Sequence, residues 1–371
     1  MRPKNRTKGI VLLSYTTLPF LNQDPKILDA HTNRWECLEM VRLFLERGYA
    51  VDVIEFTNKK FIPKKKYKYL MEIEPDLERL SPFLNKDCVK IFHATGAYWQ
   101  FQNAAEEQRL TDLKKRRGVQ LLPRRTAKPY SLKNVDVISS LCGPFPESTY
   151  EFLNKSIHHI PLSTTHTYSS VENKDFERVR KNFIWFGGAG AVHKGLDLVL
   201  EAFAAMPEYN LTVCGKIGEE DFLKLYYKEL YETANITLVG HIDPGSEQFE
   251  RIRNESVGIV FPSCSEGCAS SVVIAMHAGL IPIVSKESGI ETEDFGVILK
   301  ENSIEEIKAE VQRIASLPVS EIRDRSMAAQ TYAQTHHTRE EFTKAYRAFV
   351  ETLELADSER ESFRVSEKAK L

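Results

Sequence analysis

Short apolar runs alternate with longer amphipathic stretches along the whole chain. In the first half the apolar runs fall at 9–15 (GIVLLSY), 49–56 (YAVDVIEF), 67–73 (YKYLMEI), 89–95 (VKIFHAT), 119–123 (VQLLP) and 135–140 (VDVISS). Their length and their Val, Ile, Tyr and Phe content predict strands. Between them, residues 33–47 place Trp35, Leu38, Val41 and Leu45 at helical spacing and stop at Gly48. A second helix is expected over about 102–117, stopping at Gly118. Apolar strands separated by helices form a parallel sheet covered on both faces.

The rhythm breaks over 163–181, a polar stretch, and then restarts. Strands are predicted at 182–188, 210–215, 236–241, 257–263, 281–286 and 295–300, with helices at about 195–206, 219–233, 246–254, 269–279 and 303–316. The tail from about 319 to 360 reads as helices, and Thr338 followed by Glu341 three residues on forms a capping box. The fold class is therefore α/β, with two doubly wound units joined near 163–164. A length of 371 residues fits two domains.

Composition narrows the function. With 42% hydrophobic and 27% charged residues the chain has the balance of a folded globular protein. No apolar run reaches the roughly 18–20 residues of a membrane span. The N-terminus lacks the apolar segment and cleavage site of a secretory signal, and the six cysteines are scattered, with no C-x2-C pair. These features predict a cytoplasmic protein with reduced thiols and no zinc site. Charge is unevenly spread: residues 1–165 carry 27 Lys and Arg against 18 Asp and Glu, a net +9, and the remainder carries 23 against 34, a net −11. The first half is suited to an anionic partner, although two differently solvated surfaces would give the same split.

Ligands of open α/β sheets bind where strand ends lead into helices. Three such loops in the second half hold candidate chemistry. Phe186 leads through Gly187, Gly188, Ala189 and Gly190 to His193, Lys194 and Gly195; glycines admit an anion to the backbone and the lysine adds a full charge. Pro262 leads to Glu266, Gly267, Cys268, Ala269, Ser270 and Ser271, a carboxylate followed by a helix start with small residues and hydroxyls. Cys214 leads to Gly215 and Lys216. Neither a Walker loop nor G-x-G-x-x-G is present. As plain turns, these loops would hold a solvated lysine and an acid stabilised by a helix dipole.

The strings FIWFGGAG…HKGLDLVLEAF, NLTVCGK, ITLVGHID, VGIVFPSCSEG and IAMHAGLIPIV, in this order over 183–300, resemble the donor-binding domain of the retaining family 4 glycosyltransferases. HTNRWECLEMVRLFLERGYAVDVI is similar to that family's first helix and second strand, and HTREEFTKAYRAF to its closing helix. The resemblance implies the GT-B fold, in which two Rossmann-like domains face each other. Residues 1–163 plus the helix at about 340–371, which crosses back, would form the acceptor side, and residues 164–339 would bind the donor. It assigns Lys194 to the donor diphosphate and Glu266 to the donor sugar, with Gly188, Gly190, Lys216, His241, Gly267, Cys268, Ala269, Ser270 and Ser271 around them. Three departures stand out: the second glutamate of the family's Glu-x7-Glu pair falls at Ile274, its arginine at Ala189 or Gly188, and its first glycine-rich loop is TTLPFLNQDP.

The implied function is transfer of a sugar, with retention, from a nucleoside diphosphate sugar to a glycan or lipid-linked acceptor in surface polysaccharide or glycoconjugate synthesis. No cofactor is expected, and no metal ion, because no paired-acid motif such as Asp-x-Asp sits at a strand end. Lys194, Glu266 and His93, which ends a first-half strand, are the catalytic candidates; Arg124 and Arg125 are acceptor-side candidates. A sugar-nucleotide epimerase and a GT-B protein that binds without turnover are alternatives. Finally, Lys59, Lys60, Lys64, Lys65, Lys66 and Lys68 surround Phe61, Ile62 and Tyr67 with no acid between them. No nucleic-acid motif accompanies them, so they predict a solvated loop or a patch for peripheral association with the anionic inner face of a membrane.

Overall fold

In the computed structural model the chain forms two six-stranded parallel sheets whose strand ends meet across a cleft. The structure describes residues 1–3, 7–73, 77–124, 130–218 and 220–368, the last ten of these as helix backbone alone. In the first sheet, β1 (Ile10–Tyr15), β2 (Ala50–Glu55), β3 (Tyr69–Glu72), β4 (Val89–Ala94), β5 (Val137–Ser140) and β6 (Ile157–His159) lie in the order β2-β1-β3-β4-β5-β6. In the second, β7 (Asn182–Phe186), β8 (Asn210–Cys214), β9 (Ile236–Gly240), β10 (Gly258–Phe261), β11 (Ile281–Ser285) and β12 (Val297–Leu299) lie in the order β12-β11-β10-β7-β8-β9. The winding reverses between β1 and β3 in one sheet and between β7 and β10 in the other. At such a reversal the adjacent loops leave toward opposite faces and open a crevice.

The helices that bear on the site are α1 (Thr32–Glu46), α2 (Trp99–Arg117), α3 (Leu196–Ala204), α4 (Tyr227–Tyr231), α5 (Ser270–His277), α6 (Val319–His336) and α7 (Arg339–Lys368). α7 crosses back to the first sheet. It lies against α1, where Arg47 pairs with Glu351 and Glu354, and Phe342 meets Trp35 edge-on at 5.8 Å. The capping hydrogen bond forms as expected, Glu341 N–H donating to Thr338 Oγ1 at 3.1 Å.

Two elements differ from the sequence expectation. Residues 119–123 form no strand; Val119 and Leu122 are exposed, and the sheet edge is taken by β6, whose Ile-His-His sequence has no apolar run. An edge strand needs less buried surface than a central one, so β6 left little pattern to read. The helix expected over 219–233 is two short helices, Glu220–Leu225 and α4, parted at Tyr226.

A tight seam joins the two halves behind the cleft. Ala97 N–H donates to Glu266 O at 3.2 Å and Gly143 N–H to Gly267 O at 3.0 Å. A side chain at Gly267 would place its Cβ 2.5 Å from Thr95 O, so this contact requires glycine. Along α2, Arg109 donates to Pro262 O at 3.0 Å, Arg116 pairs with buried Asp197 at 2.5 Å, and Arg117 pairs with Glu201 at 3.2 Å and Glu229 at 2.6 Å.

Candidate active site

The turn after β7 is closed by Lys194 N–H donating to Gly190 O at 2.8 Å, and α3 begins from Gly195 at φ +73°. A Cβ on Gly195 would lie 2.4 Å from Pro262 O, so the turn packs directly on the end of β10. His193 O accepts from Cys264 N–H at 2.9 Å, fastening the two loops together. Lys194 and Glu266 are thereby brought side by side: Lys194 Nζ pairs with Glu266 Oε1, and Ser263 Oγ donates to the same oxygen at 3.1 Å. Burial alone would raise the Glu266 carboxyl, but Lys194, His193 and Arg124 outweigh it and hold it down to about 2.

This pair faces a cavity of about 320 Å³ at which both sheet reversals meet. Gly188, Lys194 and residues 266–271 form one wall. The opposite wall comes from Tyr15 and Ile73 at the ends of β1 and β3, Thr95 and Leu141 after β4 and β5, and His31, Thr32, Asn33 and Glu36 of α1. Two helices begin at the cavity. α1 is capped by His31, whose Nδ1 accepts from Asn33 N–H at 3.3 Å, and carries no acid in its first turn; α5 starts at Ala269 without a side-chain cap. Backbone N–H groups at both starts, and Lys194 on the wall, suit the cavity to an anion.

Gly188, Lys194, Glu266, Gly267, Cys268, Ala269, Ser270 and Ser271 thus come together on one wall. Gly190 lies beneath Arg124 of the opposite half, whose Cδ a Cβ there would meet at 2.5 Å. Arg125 lies outside the described residues. Three expected residues stand elsewhere. Lys216 and His241 are exposed just past the ends of β8 and β9 and do not line the cavity. His93 is fully buried and is also absent from the wall: its Nδ1 is 2.8 Å from Ser139 Oγ, its ring meets Tyr15 edge-on at 5.9 Å, and burial lowers its pKa to about 3. The expectation of His93 as a catalytic group is corrected accordingly; its neighbour Tyr15 lines the cavity instead. Burial pushes the Cys268 thiol up, so it is no nucleophile at neutral pH.

Glu106 is not among the residues that the sequence singles out. His193 is wholly buried, with Nδ1 3.2 Å from Glu106 Oε2 and Nε2 2.5 Å from Ser265 O. Its ring is thus held between the Glu106 carboxylate and the Ser265 carbonyl. Arg124 and the His193 ring both stand beside Glu266, where Ala189 supplies no side-chain cation. The signal was weak because Glu106 lies on α2, 87 positions away in sequence. Among the described residues no group of three or more His, Cys, Asp or Glu is placed to hold a metal ion, and no helix is long and apolar enough to cross a membrane.

The lysine-rich stretch lies beside β2. With Met1, Phe20 and Leu21 it lines an open groove of about 1070 Å³, and Leu21 and Ile62 are exposed there. Tyr67, expected at this surface, is buried with its hydroxyl 3.0 Å from Asp52 Oδ2, while Lys65 pairs with Asp52 and Lys68 with Asp357.

Residues 170–334 match the family model described as Glycosyl transferases group 1. Over nearly the whole chain the fold is similar to that of sucrose-phosphate synthase from Thermosynechococcus elongatus, at 15% identity and a TM-score of 0.63, covering 95% of this chain and all of that one. It is also similar to Anabaena HepE in complex with UDP and glucose (11% identity, TM-score 0.56, 93% and 99% covered). A third similar structure is WaaG, a glycosyltransferase involved in lipopolysaccharide biosynthesis (13% identity, TM-score 0.55, 91% and 98% covered). No curated protein matches the sequence significantly. The architecture is GT-B: two parallel Rossmann-like sheets facing across a cleft, with a closing helix that returns to the first.

Proposed function

We propose that this chain is a retaining glycosyltransferase that moves a sugar from a nucleoside diphosphate sugar to a glycan or lipid-linked acceptor without a metal ion. The observation that carries the reading is the convergence of Lys194, Glu266 and two helix starts on a cavity shared by both sheet reversals. The family match over the second half and the presence of UDP and glucose in the HepE structure support it.

Breaking the bond between sugar and diphosphate leaves negative charge on the phosphate and positive character on the sugar. The N–H groups of α1 and α5 and the Lys194 ammonium are aimed where the phosphate charge grows, and fixed donors of this kind need no reorganisation as the bond breaks. Glu266, kept ionised, would accept hydroxyls of the sugar and orient it. No wall residue is an activated nucleophile, which suits attack by the acceptor on the face the diphosphate leaves, with a phosphate oxygen taking the acceptor's proton. The exposed lysines near β2 would hold a lipid-linked acceptor's membrane.

Ile274 is almost fully buried where the Glu-x7-Glu pattern has its second glutamate, which favours a second reading, binding without turnover. Incubation with a panel of radiolabelled nucleoside diphosphate sugars and glycan or lipid-linked acceptors separates the two, with proton NMR of the product reporting the anomer. Transfer with retention is expected. Inversion would refute the retaining assignment, isomerised donor would indicate an epimerase, and binding without release of sugar would favour the second reading.

A further inference from the structure

Glu36 is a buried acid on the cavity wall that the reaction outlined above leaves unused. It sits one turn into α1, on the same face as Thr32, and both line the cavity. Its Oε1 is saturated, accepting from Ser163 N–H at 3.1 Å and Ser163 Oγ at 2.8 Å. Its Oε2 is buried and has no hydrogen-bond partner among the described residues. A buried polar atom without a partner is destabilising, and a ligand in the cavity can supply the missing partner.

We propose that Glu36 in its neutral form is part of the anion-binding wall of this cleft, so that a diphosphate ligand is bound together with one proton. With Oε1 fully accepting, the proton belongs on Oε2, which then donates to a phosphate oxygen. As a carboxylate the same atom would repel that oxygen. The proton comes from solvent on binding and returns to it on release.

Burial raises the Glu36 carboxyl to about 7, against the lowering effect of the Ser163 hydrogen bonds and of Arg339, so both forms are populated near neutrality. Other titratable and charged groups surround it. Tyr15 on β1, Cys37 on α1 and Cys268 before α5 are all pushed up by burial and stay neutral. Arg339 at the start of α7 pairs with Asp29. His31 at the head of α1 is lowered by burial, and Lys194 and Glu266 form the charged pair across the cavity. The proposal rests on the nucleotide-sugar reading for the identity of the ligand, and deepens it.

The test is calorimetric titration of UDP-glucose, which has no ionisation near neutrality, in buffers of different ionisation enthalpy. Wild-type protein is expected to take up a large fraction of a proton at about pH 8 and to bind about tenfold more weakly there than at about pH 6. Glu36→Gln, which keeps a donor in place and cannot ionise, should take up none and bind equally at both. Wild-type binding with no proton uptake, or equal uptake by the variant, would overturn the proposal, whether or not the variant is less stable. If UDP-glucose binds neither protein, the UDP-sugar donor reading fails, and inorganic sulfate becomes the probe. Sulfate should raise the melting temperature of wild type more at about pH 6 than at about pH 8, and of Glu36→Gln equally at both; the same pH dependence in both proteins would overturn the assignment of Glu36.

Discussion

Lys194 and Glu266 are bound to each other, and that contact shapes how each substitution should read out. Lys194→Ala is expected to keep the fold, since Arg124 and His193 remain beside Glu266, and to cut turnover by about 10²–10³, roughly 2.7–4 kcal/mol of transition-state stabilisation. Turnover close to wild type would remove Lys194 from the leaving group. Glu266→Gln should lose transfer while affinity for free nucleoside diphosphate holds or rises, because Lys194 is released from its carboxylate; equal losses would make Glu266 structural. The two acids of the cavity, Glu266 and Glu36, should also mark the pH dependence of stability in opposite ways. Glu266 is lowered to about 2 from an ordinary 4.5, so its contribution is present above about 4.5 and lost as pH falls toward 2. Glu36 is raised from 4.5 to about 7, so its contribution is present below about 4.5 and lost as pH rises through 7. Chemical denaturation of wild type and Glu36→Gln should therefore diverge between about pH 4.5 and 7, with wild type losing about 3 kcal/mol relative to the variant. Parallel curves would show that Glu36 ionises as readily in the native state as in the unfolded chain.

At the scale of elements, α2 is the member that holds one half against the other. Its Arg116 and Arg117 reach α3 and α4, and the guanidinium of Arg117 also lies 4.6 Å from the ring centroid of Tyr226. Both partners of the Arg117–Glu229 pair are largely shielded from water, so a double-mutant cycle should give a coupling above the few tenths of a kcal/mol usual for exposed pairs, about 1 kcal/mol or more. A coupling near zero would leave the seam to its backbone contacts. Those contacts have their own test in Gly267→Ala. The new Cβ would meet Thr95 O, a backbone atom fixed at the end of β4, and the seam must open to admit it. Faster hydrogen exchange at the Ala97 and Gly143 amides is expected, with the amides of β7 and β10 unchanged; unaltered exchange at the first pair would mean that the seam absorbs a methyl group.

For the molecule as a whole, the charge split and the groove beside β2 predict a salt-sensitive association with vesicles containing anionic lipid. Each basic residue near such a surface contributes up to about 1 kcal/mol, and screening over about 8 Å at physiological ionic strength weakens it. Replacement of all six lysines by glutamine should reduce co-sedimentation. Because Lys65 and Lys68 are tied to Asp52 and Asp357, most of the effect is expected from Lys60, Lys64 and Lys66. Binding that is absent at low salt, or unchanged by the substitutions, would favour a soluble acceptor. Transfer is also expected to survive EDTA, since the positive groups around Glu266 are protein side chains; loss of activity with rescue by Mg²⁺ or Mn²⁺ would contradict this.

The sequence by itself determined the two sheets and the second-half loops. Central parallel strands are buried on both faces, so each leaves an apolar run, and a glycine-rich turn ahead of a helix is legible wherever it occurs, as at Gly187–Gly190 and Gly267. Eight of the residues singled out from those local patterns share one wall. Where burial is slight, as in β6, or where an apolar run is left on the surface, as at Leu122, the same reasoning misread the chain. What only the tertiary structure decided is what faces that wall. Tyr15, His31 and Glu36 become neighbours of Glu266 and Lys194 because two independent sheets reverse their winding at the same cleft, and His193 meets Glu106 because α2 lies across the seam. A local pattern records how a residue is buried within its own element. Which distant carboxylate or amide it then meets depends on how two separately folded halves dock, and no spacing within either half encodes that contact.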